Sequence, residues 1–288
     1  MPGRGLARRA AWTFGTQGLS SASNFLVTAV ILFGVSGRPF ALFAVCFTVY
    51  MLVLQAVRYV IGIPVLLQAE PLPGDSPPGG PAVLDGPAVL DGPAVLDGPA
   101  VDGPAVDGPA GPAGPAAPAA PRLDPGAPTG LALAVGLAAL PALVVAAVVW
   151  REAAPMMLVL AFGLPFLLAQ DALRHVAIAR GVPHVAVQAD GAWLGLQIAG
   201  SAALLLFNDQ AGMAQAAGLF AIWVGAGAVS CALLAALLRA RPALDRAVAW
   251  GRASAANCRR LGLEFVVTSG SYYTLCFALA ALAGADEL

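Results

Sequence analysis

Five ionisable residues fall inside or at the edges of long apolar stretches: Arg58, Asp171, Arg174, Asp190 and Glu264. A charge facing hydrocarbon costs about 2.5–3.5 kcal/mol even on the most lenient scale, so such positions are read first as sites. An arginine can hold a phosphate or pyrophosphate bidentately. In that reading Arg58 is the leading contact for an anionic head group, and Asp190 is its partner when the site is empty. Asp171, Arg174 and Glu264 complete a gate. The competing reading is a ring of ion pairs that pins helix ends at one depth. The spacing supports a shared depth. Arg58 follows the 18-residue run from Phe40 to Val57, about 27 Å of helix. That places it near a membrane boundary, where it can snorkel.

A second polar pattern runs along the first apolar stretch. Thr13, Gln17, Ser20, Ser21, Asn24 and Thr28 recur at steps of three and four, which puts them on one helix face. Such a face is expected to meet another helix or an aqueous cavity rather than lipid. Glu264, Thr268, Ser271 and Tyr272 repeat the pattern near the other end of the chain. Both runs follow a double arginine, Arg8-Arg9 and Arg259-Arg260, an echo of the kind internal transporter repeats leave.

Other chemistry is poorly represented. His175 and His184 match no metal motif and are expected in a solvated loop. The four cysteines, Cys46, Cys231, Cys258 and Cys276, form no Cys-x-x-Cys pair and are expected as small apolar side chains. A Gly-rich phosphate loop, a His-Glu-x-x-His and a Gly-x-Ser-x-Gly are all absent from the sequence. Neither an enzyme activity nor a cofactor or metal is expected. A net charge of −1 gives no basic field for nucleic acid.

The elements that must position these residues follow from composition. Hydrophobic residues make up 59% of the 288 and charged residues 11%, with a mean hydropathy of +0.81. A water-soluble domain carries about 25% charged residues. The fold class is therefore all-α, a polytopic membrane bundle. Seven runs approach the roughly 20 apolar residues needed to cross the hydrocarbon core. They are Trp12–Val35, Phe40–Leu67, Gly130–Trp150, Ala154–Gln170, Val185–Phe207, Met213–Leu238 and Leu261–Ala283. All 15 basic residues are arginine. With a cytoplasmic N-terminus and alternating spans, twelve lie inside, and only Arg38 and Arg151 lie outside, the asymmetry expected of a multi-pass protein.

The domain plan is spans one and two within 1–68, a linker over 69–128, spans three to six within 129–240, a basic cytoplasmic connector over 241–260, and span seven with a short outer tail over 261–288. In the linker Pro-Ala-Val-Leu-Asp-Gly occurs three times from Pro81 to Gly98, and Pro-Ala-Val-Asp-Gly twice from Pro99 to Gly108. Hexamers decaying to pentamers and triplets look like replication slippage rather than a solenoid, whose units are about 20 residues or longer. At this density proline and glycine cannot build a core.

Three segments carry a family resemblance. They are Gln17-Gly18-Leu19-Ser20-Ser21-Ala22-Ser23-Asn24-Phe25, the stretch from Phe40 through Tyr50 and Arg58 to Gly62-Ile63-Pro64-Val65-Leu66-Leu67, and Gln170-Asp171-Ala172-Leu173-Arg174-His175 with Ala179-Arg180-Gly181. They resemble the first, second and fourth helices of polysaccharide flippases in the multidrug/oligosaccharidyl-lipid/polysaccharide exporter superfamily, in an actinobacterial form. The resemblance implies a bacterial plasma-membrane protein that moves lipid-linked oligosaccharides by alternating access between two lobes of six helices. This chain supplies one lobe and the first helix of another. Its implied partners are membrane lipids, a lipid-linked oligosaccharide, and a second copy or a C-terminal lobe. A non-transporting scaffold, or a remnant of a flippase, is the alternative. A lipid-sugar enzyme ranks last, for want of a metal-binding acid cluster.

Cysteine labelling or reporter fusions check the topology. Fusions after Arg151 and Asn208 should report the outside, and those after Arg122, Arg180 and Arg252 the cytoplasm. A cytoplasmic signal at Asn208 breaks the seven-span arrangement.

Overall fold

The computed structural model describes residues 3–35, 37–68, 124–207 and 211–271. Among them there is no strand. Six helices are long and apolar enough to cross a membrane, and the chain is a multi-pass membrane protein. They are α1 (Gly3–Gly34), α2 (Arg38–Leu67), α3 (Gly126–Val149), α4 (Ala154–Ala179), α5 (Pro183–Phe207) and α6 (Met213–Leu238). Two short amphipathic helices follow, α7 (Leu244–Ala253) and α8 (Ala255–Phe265). By sequence this stretch is only a basic connector; its apolar and charged residues segregate to opposite helix faces. The seventh span is described only as far as Ser271, through α8 and a π-turn at Val266–Gly270; the rest of it, and residues 69–123 of the linker, lie outside the described residues.

Turn chemistry sets the helix ends. Gly37 and Gly212 precede α2 and α6 with φ of 70°, a conformation that glycine adopts without strain. Proline sits in the first turns of α2 and α4, where its missing N–H costs no hydrogen bond. At the other end of α4, Val182 N–H bonds Ala177 O and Gly181 N–H bonds Ile178 O, both at 2.9 Å, with Gly181 at φ 72°. This is a Schellman cap. It lies more than two turns past Gln170, where the sequence reading ended span four. The charges Asp171 and Arg174 looked like a span boundary, but both are buried within the helix.

α4 is the central helix. Met156, Leu160, Leu164, Leu167, Leu168 and Leu173 along it are fully buried. It packs on α2, α3 and α6, while α5 packs between α1 and α6. Lipid tails are as apolar as the helices, so burial alone does not drive them together; close backbone approach does. Two glycines make that approach possible. A Cβ at Gly136 would meet the backbone of Pro165, and one at Gly163 would meet Val224. Between the helices an aromatic cluster fills the core: Trp223 lies 5.0 Å from Tyr50 and 5.6 Å from each of Phe47, Trp193 and Phe220. Trp193 Nε1 donates to Trp223 O at 3.0 Å, so the ring's polar edge is satisfied while its body packs.

Gly136→Leu and Gly163→Leu should each cost about 1–3 kcal/mol through overpacking, seen as a lower Tm in detergent. Gly195→Leu and Gly225→Leu, where an added Cβ meets nothing within 4 Å, should leave Tm within error. Equal losses at all four positions would show that glycine is needed for some reason other than helix contact.

Candidate functional site

Four of the five charges singled out from the sequence come together. Arg58 is on α2, Asp171 and Arg174 are one turn apart on α4, and Asp190 is two turns into α5. Arg58 reaches Asp171 laterally: Nε lies 3.1 Å from both carboxylate oxygens and Nη2 lies 2.8 Å from Oδ1. Arg174 Nη2 donates to the same Oδ1 at 2.5 Å. One carboxylate therefore holds two guanidinium groups. Asp190 Oδ1 accepts from Gln170 Nε2 at 2.8 Å. Its Oδ2 lies 3.8 Å from Arg174 Nη1 and has no hydrogen-bond partner.

Two expectations change in detail. Arg58 does not snorkel to a boundary: its side chain is only 17% exposed and turns toward α4. Its partner is Asp171, and Asp190 is shared between Gln170 and Arg174 instead. Glu264 is exposed on α8 and takes no part in the network.

His175 also differs from the sequence reading. It lies on α4 rather than in a loop, mostly buried, with Nδ1 2.8 Å from the Asp171 carbonyl oxygen. The imidazole occupies space that a side chain at position 62 would take: a Cβ on Gly62 would sit 3.0 Å from the ring. His184 is exposed at the start of α5, its ring 6.4 Å from that of Trp12.

The local backbone explains how Arg58 is presented. Arg58–Gly62 is a π-helical turn, a widening often found at functional sites. Pro64 follows within the same helix and has no N–H, so the carbonyl of Val60 loses its α-helical donor. Cys258 of α8 fills the gap, with Sγ 3.1 Å from Val60 O. Burial raises the pKa of the Cys258 thiol, which keeps it protonated and able to donate. The sequence reading gave Cys258 no such role.

The polar stripe of α1 divides. Ser20 is buried, Asn24 and Thr28 are partly buried, and Gln17 and Ser21 are exposed. Thr28 Oγ1 bonds the Asn24 carbonyl within the helix at 2.9 Å. The face that packs is one step round, along Thr16, Ser20, Ser23, Val27 and Ile31. Ser23 Oγ donates to Gln197 Oε1 at 2.6 Å, and Gln197 Nε2 returns a bond to Ser23 O at 3.1 Å. Sequence reasoning missed Ser23 and Gln197. Steps of four, three, four and four from Thr16 to Ile31 were the available signal.

No protein-family model, curated protein or solved structure matches the chain.

Removing one member of a buried charge cluster strands the others, at about 3–5 kcal/mol. Asp171→Asn should therefore lower stability in detergent by that order. Asp190→Asn should cost less, because its amide oxygen still accepts from Gln170. A smaller loss for Asp171→Asn than for Asp190→Asn would remove Asp171 from the centre of the network.

Proposed function

We propose that the chain is transporter-like, one lobe of a flippase or exporter for lipid-linked polysaccharide precursors, in the bacterial plasma membrane with its N-terminus in the cytoplasm. The observation that carries this reading is the network of Arg58, Asp171, Arg174 and Asp190 at the meeting of three spans. An ionisable residue within a membrane span is by default a functional-site hypothesis, and such residues line substrate and ion pathways. The π-turn beneath Arg58 and the resemblance of α1, α2 and the end of α4 to flippase helices support the same reading.

In this reading Arg58 exchanges Asp171 for a pyrophosphate, which takes the guanidinium fork in the same bidentate way. Asp171 restores the pair when the ligand leaves, and Arg174 and Asp190 share the residual charge. Gln17 and Asn24 offer amide partners to a sugar, and Ser20 packs behind them. Gln17 and Ser21, exposed on α1, face a second copy or a C-terminal lobe.

A non-transporting membrane scaffold is the second reading. What favours it is that Asp171 already satisfies both arginines, as a purely structural cluster would require.

Arg58→Ala and Asn24→Leu separate the two. Each should leave the protein in the membrane and reduce lipid-sugar export by about tenfold, the worth of one strong charge-assisted contact. Normal export with both substitutions would remove the transport reading. Loss of the protein from the membrane would favour the scaffold.

A further inference from the structure

The end of the bundle opposite the charge network carries a second polar site. Arg38, at the start of α2, and Arg151, in the turn between α3 and α4, are the two arginines that the charge asymmetry assigns to this end. Although 113 positions apart in sequence, they line one cavity of about 370 Å³ together with Glu152, Leu42, Pro155 and Met213. Arg38 is ion-paired with Glu152, and both side chains are well exposed. Arg151 adds a second cation, so among these lining residues positive charge exceeds negative by one. The deeper wall is apolar: Leu42 is buried.

The backbone adds to the same field. The cavity lies where α2, α4 and α6 all begin, at Arg38, Ala154 and Met213. Their N-caps are Gly37, Ala153 and Gly212, none of which supplies a capping side chain, and no acidic residue lies in any of the three first turns. Each helix start presents N–H groups and a partial positive charge. Among the described residues that line the cavity, two guanidinium groups stand against one carboxylate, with three such ends beside them.

An anion with an apolar body fits this arrangement, and helix ends of spanning length lie at the level of lipid head groups. We propose that the cavity binds the phosphate of an anionic phospholipid, held between Arg38 and Arg151, with the lipid's glycerol and upper acyl carbons against Leu42, Pro155 and Met213. Glu152 weakens the site by competing for Arg38. The proposal is independent of the transport reading, since it uses none of the residues in the charge network.

The test uses the full chain in detergent, with native mass spectrometry against added phosphatidylglycerol, phosphatidylcholine and inorganic phosphate. One phosphatidylglycerol should bind in preference to phosphatidylcholine. Arg151→Ala should weaken it about tenfold, the loss expected for one hydrogen bond to a charged group. Arg38→Ala with Arg151→Ala should abolish the preference. Glu152→Gln should strengthen binding several-fold, a gain that a misfolded variant does not produce. Millimolar inorganic phosphate should compete only weakly, since it lacks the apolar contacts. Retained preference in the double variant, or no gain from Glu152→Gln, would overturn the proposal. Binding of inorganic phosphate as tight as that of the lipid would assign the cavity to a free anion instead.

Discussion

Asp171 is a carboxylate buried within a membrane span, and its charge has to be neutralised where it stands. Water is not at hand to do so, and an uncompensated ion at that depth costs several kcal/mol. Arg58 and Arg174 both turn to it. That demand fixes the register of α2 against α4. It also brings α5 to the same level, because Arg174, once committed to Asp171, leaves its other edge toward Asp190. Three spans are thus aligned along the membrane normal by one acid. The adjustments around it follow from the same demand. α2 widens into a π-turn at Arg58, position 62 carries no side chain so that His175 can lie flat against the helix, and the carbonyl released by Pro64 is met by Cys258.

Above this level the bundle is held by contact rather than by charge. α6 carries no charged residue between Met213 and Leu238, yet it packs against the length of α4. Glycine on one helix faces a branched side chain or a proline on the next, and indole rings fill the wider gaps. Several polar groups are used between helices: Ser230 Oγ donates to Ala189 O at 2.9 Å, and Ser23 and Gln197 exchange two bonds, whereas the indole N–H of Trp223 is buried without a partner. Such bonds add about 0.6 kcal/mol each in a bilayer setting. They fix orientation more than they add stability.

Much of this was legible in the sequence. Apolar run length gave six of the seven expected spans, because it is imposed by bilayer thickness alone. The common depth of Arg58, Asp171, Arg174 and Asp190 was legible for the same reason, since depth is a count of residues from a span's edge. Pairing was not legible. Depth does not say which acid an arginine turns to, and that Arg58 takes Asp171 rather than Asp190 depends on how α2 and α5 rotate about α4. The end of α4 was misjudged because a charge was read as a boundary; once paired, Asp171 and Arg174 no longer interrupt a span. His175 moved from loop to helix with them. On α1 the exposed and buried polar residues lie one step apart in sequence, and only the position of Gln197 on α5 distinguishes them.

α7 touches the chain on both sides of the repeat. Before it, Gln68 accepts from Trp250 Nε1 at 3.1 Å and donates to Ser254 Oγ at 3.0 Å. After it, Arg246 pairs with Asp124 at 2.7 Å, and Ala243 N–H bonds Gly126 O at 2.9 Å. The two anchor points therefore lie between one and three helical turns apart along a single short helix and its caps, whatever number of residues separates them in sequence. Loop closure costs only about 0.6 kcal/mol more for each doubling of length, so chain entropy alone sets no strict number of hexamers between Gln68 and Asp124. A change in copy number would leave both anchor points on α7 in place.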